Sequence, residues 1–241
     1  MKKYYSIFIF FIFFLSVALI FITFSVLSND FYKSFHVSNL ENISFNNITL
    51  IIDPGHGGED GGAQGNGALE KDINLSVSSY LNKYLMFSSF NTEMTRTTDK
   101  LLYNEGEENR KKFYDITNRV RFAESFQNAV FISIHQNKFE IPKYKGLQVY
   151  YSKNNPLSHD LAHIIQENAR NFADKENKRE IKAADSKIRA LNSLKIPAVL
   201  IECGFLSNES EAKLLNTEEY QKKLAFIFFI STIEFLEQSQ S

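Results

Sequence analysis

The sequence predicts a single α/β domain whose mixed, mainly parallel β-sheet carries helices on both faces. Two observations predict it. From Ile48 onward, short apolar runs alternate with stretches of helical period, the pattern of strand–helix–strand units that bury a parallel sheet on both sides. Three of those runs lead into polar residues: Asp53-Pro54-Gly55-His56, His135-Gln136-Asn137 and Glu202. Ligands of open α/β sheets bind just past the carboxyl ends of the strands, so these residues are expected to meet in one cleft.

The elements follow in order. Ile48–Ile52 is β-rich and is stopped by Asp53-Pro54-Gly55, which predicts a buried strand. A glycine-rich loop runs from Gly55 to Gly67. Ile73, Val77, Leu81 and Leu85 then recur at helical spacing, predicting a helix from Glu70 to about Phe87. Asn91–Arg96 alternates as a strand. Phe113, Ile116, Val120 and Ala123 mark a second helix, and Ala129–Ile134 a buried strand. Gly146–Ser152 is a fourth strand, Leu157–Phe172 a helix, and Pro197–Ile201 a fifth strand. The last helix spans about Glu218 to Leu236; its apolar Leu224–Ile230 stretch is too short to cross a membrane.

Composition sets the limits. The 241 residues are 44% hydrophobic and 23% charged, with a formal net charge of -1. That is globular composition with no electrostatic footprint for nucleic acid. Cys203 is the one cysteine, so an intramolecular disulfide is excluded. Lys2 and Lys3 precede an uncharged apolar run from Tyr4 to Leu27, which meets the roughly 20 residues needed to span a bilayer. The two lysines favour a cytoplasmic N-terminus and an exported remainder. Residues 1–27 are therefore expected to be a membrane anchor. The alternative is a signal sequence, whose apolar region is usually about 7–15 residues. Residues 28–47, aperiodic and rich in Asn and Ser, read as a linker, and 48–241 as one extracytoplasmic domain, membrane-anchored or secreted.

Catalytic zinc takes about three His or carboxylate ligands and leaves a position open. His56 lies in a glycine loop where backbone can approach closely. His135 follows a buried strand. Glu70 opens a helix, where the dipole favours a carboxylate. Two His and one Glu form a common catalytic zinc set, so one zinc per chain is expected. Glu202 follows Val199-Leu200-Ile201, apolar surroundings that raise a carboxyl pKa and suit it to general-base work. Singly, each residue has a plainer reading: a structural histidine, a helix-start glutamate, a glutamate paired with lysine. Their shared place at the strand ends is the stronger signal. A rival pair, His159 and His163, has the i, i+4 spacing of the H-E-x-x-H motif. Asp160 replaces its glutamate, so a solvated helix face is expected there. His36 in the linker is given no role. Cys203 has no identifiable base beside it and reads as a small buried hydrophobe.

Four runs in order resemble a known family: Asp53–Gly58, Glu70-Lys71-Asp72, Ser133–Asn137 and Glu202–Asn208. They look like the zinc-dependent N-acetylmuramoyl-L-alanine amidases of the "amidase 3" family. Met94–Asp99, Gly146–Tyr151 and Ile196–Leu200 agree too, so the likeness covers nearly everything from Ile48 on. The resemblance implies zinc on His56, Glu70 and His135, Glu202 as the catalytic carboxylate, and a mixed α/β sheet flanked by helices. Its implied substrate is peptidoglycan, cut between the lactyl group of N-acetylmuramic acid and L-alanine. Arg189, at a position where relatives often have Arg, and Asn137 are the candidate substrate contacts; the alternative for Arg189 is a solvated surface charge. A guanidinium pairs with a carboxylate in bidentate fashion.

Departures from the pattern are Gln136, where Ala is common, and Glu124 after Ala123; both are expected to alter the substrate groove. Only a short loop joins Asn137 to Gly146, where division amidases carry a long regulatory insertion. An apolar N-terminal run before a bare domain is most similar to germination-specific members. That likeness implies a spore-cortex role on the forespore membrane, with muramic δ-lactam made alongside a deacetylase. An accessory protein that holds the metal or opens the groove is compatible with the sequence. The alternatives are another zinc-dependent wall peptidase or deacetylase, or an inactive wall-binding protein.

Overall fold

The computed structural model describes residues 47–239. The expected membrane segment 1–27 and all but the last residue of the linker 28–47 lie outside the described residues. Among the described residues, no helix is long and apolar enough to cross a membrane.

The sheet has six strands: β1 (Thr49–Pro54), β4 (Asn91–Met94), β5 (Ala129–Asn137), β6 (Gln148–Tyr151), β7 (Lys182–Ala183) and β8 (Ala198–Phe205). Their order is β4-β1-β5-β8-β6-β7. All neighbours are parallel except β6 and β8. A separate hairpin, β2 (Gln64–Gly65) with β3 (Ala68–Leu69), folds the glycine loop back on itself. The helices are α1 (Glu70–Phe87), α2 (Lys111–Glu124), α3 (Leu157–Phe172), α4 (Arg189–Ser193), α5 (Glu209–Leu215) and α6 (Glu218–Gln238).

Strand alternation divides the core into two layers, because successive side chains point to opposite faces. Ile51, Phe131, Ala198 and Leu200 pack with Ala123 of α2 and Leu191 of α4. On the other face α1 and α3 pack against the sheet and α6 lies between them. The expected mixed sheet with two helical layers is thus the observed one. The helix bounds at Glu70–Phe87 and Leu157–Phe172 match the apolar periods. The strand expected over Asn91–Arg96 ends at Met94, because Arg96 turns its guanidinium inward onto backbone carbonyls. β8 extends past Ile201 to Phe205, carrying Glu202 within the strand. The hairpin, β7, α4 and α5 are too short to show a period.

Candidate metal centre and cleft

His56 hangs on a left-handed backbone, φ 62°, a conformation that costs a non-glycine residue about 1–2 kcal/mol. Two buried arginines hold that loop. Arg119 Nη2 donates to the His56 carbonyl at 2.8 Å, and its Nη1 donates to the Pro54 carbonyl at 2.8 Å. Arg96 donates from Nε to the Pro54 carbonyl at 2.9 Å and from Nη2 to the Gly55 carbonyl at 3.0 Å. Behind them, Asp53 takes Arg119 Nη1, Thr95 Oγ1 and Ser133 Oγ, each at 2.6 Å. Burial opposes ionisation of Asp53, but Arg119 and these hydroxyls outweigh it and lower its pKa. This scaffold was not foreseen: a lone Arg reads as surface charge, and burial appears only once the strands are assembled.

Glu70 stands at the N-terminus of α1, 3% exposed. Its Oε2 accepts from Ala63 N at 2.5 Å and its Oε1 from Gln136 N at 3.0 Å. Around Oε1 gather His135 Nδ1 at 3.0 Å and His56 Nε2 at 3.2 Å. One potential ligand atom from each of His56, Glu70 and His135 lies within 4.8 Å of the others. Glycines make this crowding feasible: a Cβ on Gly62 would stand 2.5 Å from Glu70 Oε2, and one on Gly55 2.2 Å from His135 Cε1. Burial disfavours the His56 imidazolium, yet Asp60 and Glu70 outweigh it and raise the pKa to about 9. The pocket therefore draws positive charge between its carboxylates, a demand a divalent cation meets.

Glu202 sits beside this group. It pairs with His135 across the parallel β5–β8 ladder, which places the two on one face. Its Oε2 is buried without a hydrogen-bond partner among the described residues. Burial pushes its carboxyl up to about 7, Glu70 adding to the rise and the two imidazoles opposing it. A cleft of about 360 Å³ joins His56, His135 and Glu202 to α2 and α4, with Lys112, Arg119 and Arg189 among its walls. The three strand ends singled out by sequence thus converge, and Glu70 completes the cluster.

A family model described as N-acetylmuramoyl-L-alanine amidase matches residues 50–227. The chain belongs to that family. The amidase is 35% identical over 178 residues to the germination-specific N-acetylmuramoyl-L-alanine amidase of Bacillus subtilis, covering 73% of this chain and 74% of the relative. Among solved structures it matches the CwlD amidase of Clostridioides difficile in complex with the GerS lipoprotein: 40% identity, TM-score 0.75, covering 78% of this chain and 98% of that one. The AmiC2 amidase of Nostoc punctiforme matches at 27% identity and TM-score 0.68, covering 79% of this chain and 98% of that one.

The other expected residues fall out as follows. Arg189 lines the amidase cleft, its guanidinium 4.6 Å from the Phe113 ring centroid and without a hydrogen bond or ion pair among the described residues. Asn137 ends β5 and offers its carbonyl to Leu206 N at 2.8 Å, outside the cleft lining. Gln136 does not shape the groove, contrary to expectation. Strand alternation turns it to the opposite face, where it is 3% exposed and its Nε2 donates to Asn74 of α1 at 3.1 Å. Glu124 ends α2 on the surface, likewise outside the cleft lining. His159 and His163 lie exposed on α3, as expected. Cys203 lies buried within β8, and burial pushes its thiol pKa upward.

Proposed function

We propose that the amidase uses one zinc ion, held by His56, Glu70 and His135, with Glu202 moving the proton in catalysis. The observation that carries this reading is the unpartnered Glu202 Oε2, buried beside a His/Glu cluster. A buried acceptor left without a partner costs about 1–3 kcal/mol, and a catalytic task accounts for its retention. The two His and one Glu are a set that zinc accepts, and Gly55 and Gly62 leave the room they need.

Bound there, zinc supplies a Lewis acid for the carbonyl oxygen and acidifies water. The chain's own residues do the rest. Glu202 takes the proton of a water that adds to the lactyl carbonyl carbon. It returns that proton to the alanine nitrogen as the carbon–nitrogen bond breaks, leaving a lactyl carboxylate and a free amino terminus. A carboxyl with pKa near 7 is matched to both transfers. Arg189 faces the cleft from α4 and suits a carboxylate on the stem peptide.

The biological setting is part of the proposal. Residues 1–27 tether the enzyme to a membrane through linker 28–47, or are cleaved on export, and 48–241 acts outside the cytoplasm. Similarity to germination-specific and CwlD amidases supports spore cortex as the substrate. An accessory lipoprotein fits the complex in which the CwlD relative was solved. Mass spectrometry of peptidoglycan digested with and without a chelator tests the chemistry. Stem peptides beginning with free L-alanine are expected, and chelation should abolish them. Cleavage at another bond, or undiminished cleavage with the chelator, overturns the reading.

A further inference from the structure

We infer that Asp60 is a positioning residue for the metal centre, fixing the His56 tautomer so that Nε2 rather than Nδ1 is offered to the ion. This rests on the metal site proposed above. The His56 ring lies between two carboxylates, with Nδ1 2.9 Å from Asp60 Oδ2 and Nε2 3.2 Å from Glu70 Oε1. An ionised carboxylate only accepts hydrogen bonds. Asp60 therefore requires the proton on Nδ1, and the lone pair of a neutral ring is left on Nε2, facing the other ligand atoms.

Asp60 is itself anchored, so it cannot simply follow the ring. Its backbone pairs with Gly57 through two bonds of 3.0 Å, and its Oδ1 accepts from Lys112 Nζ at 2.8 Å and Gly62 N at 3.4 Å. The five-residue loop from His56 to Asp60 thus closes twice, once through backbone between Gly57 and Asp60 and once through the imidazole. His135 is held differently. It turns Nδ1 to Glu70 at 3.0 Å, while its Cε1–Nε2 edge lies against Gly55. One imidazole is oriented by packing and the other by a carboxylate, and losing that carboxylate frees the His56 ring to flip.

The test is the zinc dissociation constant of the full chain in detergent, measured by competition with a chromophoric chelator, together with the visible spectrum of the cobalt-substituted protein. Asp60→Ala should weaken zinc binding about 10–100-fold and change the cobalt bands, as loss of an outer carboxylate typically does. Asp60→Asn, which keeps an acceptor without the charge, should recover part of the loss. Lys112→Ala removes one of several anchors of Asp60 along with a surface ion pair: zinc affinity should fall far less than in Asp60→Ala. The inference is overturned if Asp60→Ala binds zinc like the parent while His56→Ala does not, or if Lys112→Ala reproduces the Asp60→Ala loss. If His56→Ala also leaves zinc affinity untouched, the metal site itself is wrong.

Discussion

His135 and Glu202 stand abreast on β5 and β8, in register and on the same face of the sheet. The ladder fixes their separation, so one can be altered without moving the other. Glu202→Gln should keep bound zinc and lose about 10²–10⁴-fold in turnover, the usual scale of general acid–base work. His135→Ala should lose the zinc instead. Metal analysis beside a peptidoglycan digestion assay reads both, and a zinc-free Glu202→Gln protein or a zinc-replete His135→Ala protein contradicts the assignment.

Glu202 should also cost the metal-free fold stability as pH rises. Its pKa is about 7 folded against an ordinary glutamate value of 4.5. The folded chain then binds more protons between those values, so stability declines as pH climbs from 4.5 to about 7 and levels off above. With each pKa unit worth about 1.4 kcal/mol, Glu202→Gln should be more stable than the parent by about 1–3 kcal/mol at pH 8 and equal at pH 4. Chemical denaturation in chelator at the two pH values checks the sign.

Gly55→Ala should damage the site without touching a ligand. The new methyl would meet the His135 ring at 2.2 Å, well inside contact distance, so the imidazole must swing. Zinc affinity and turnover should fall together while the far-ultraviolet circular dichroism stays the same. Full activity in this variant would mean that the His135 ring does not pack against Gly55.

Arg119→Leu should destabilise the domain by about 3–5 kcal/mol, because it strands the buried Asp53 and Asp115 carboxylates. Asp53 has a folded pKa below the ordinary aspartate value of 3.8. Its contribution is therefore present above 3.8 and lost as pH falls through the lower folded value. The stability gap between parent and variant should narrow in that acid window, as urea titrations at pH 7 and pH 3 would reveal.

Arg189→Ala should raise KM for carboxylate-bearing stem peptides and leave kcat little changed, the signature of lost uniform binding. A substrate whose carboxylate is amidated should respond far less. Equal losses on both substrates would assign Arg189 to the cleft wall alone.

Much of this was legible in the sequence, for identifiable reasons. The apolar stretches of β1, β5 and β8 are covered on both faces, and they lead to His56 just past β1 and to His135 and Glu202 within β5 and β8. α1 shows its period from Ile73 to Leu85, so Glu70 at its head was placed correctly. What escaped was long-range polar pairing. Arg119 lies 66 positions from Asp53 and Arg96 is 41 from Gly55, and no local pattern announces such contacts. Gln136 was misread because a one-residue step along a strand reverses its facing. The role of Asp60 was hidden among the glycines of its loop.

The arginine clamp on Pro54, Gly55 and His56 has one more consequence. Zinc fingers unfold when stripped because their ligands have nothing else to organise them. Here the loop is organised by guanidinium groups that remain after chelation. The enzyme should behave as a reloadable holder: treated with chelator it should still melt cooperatively, and added zinc should restore turnover without a refolding step.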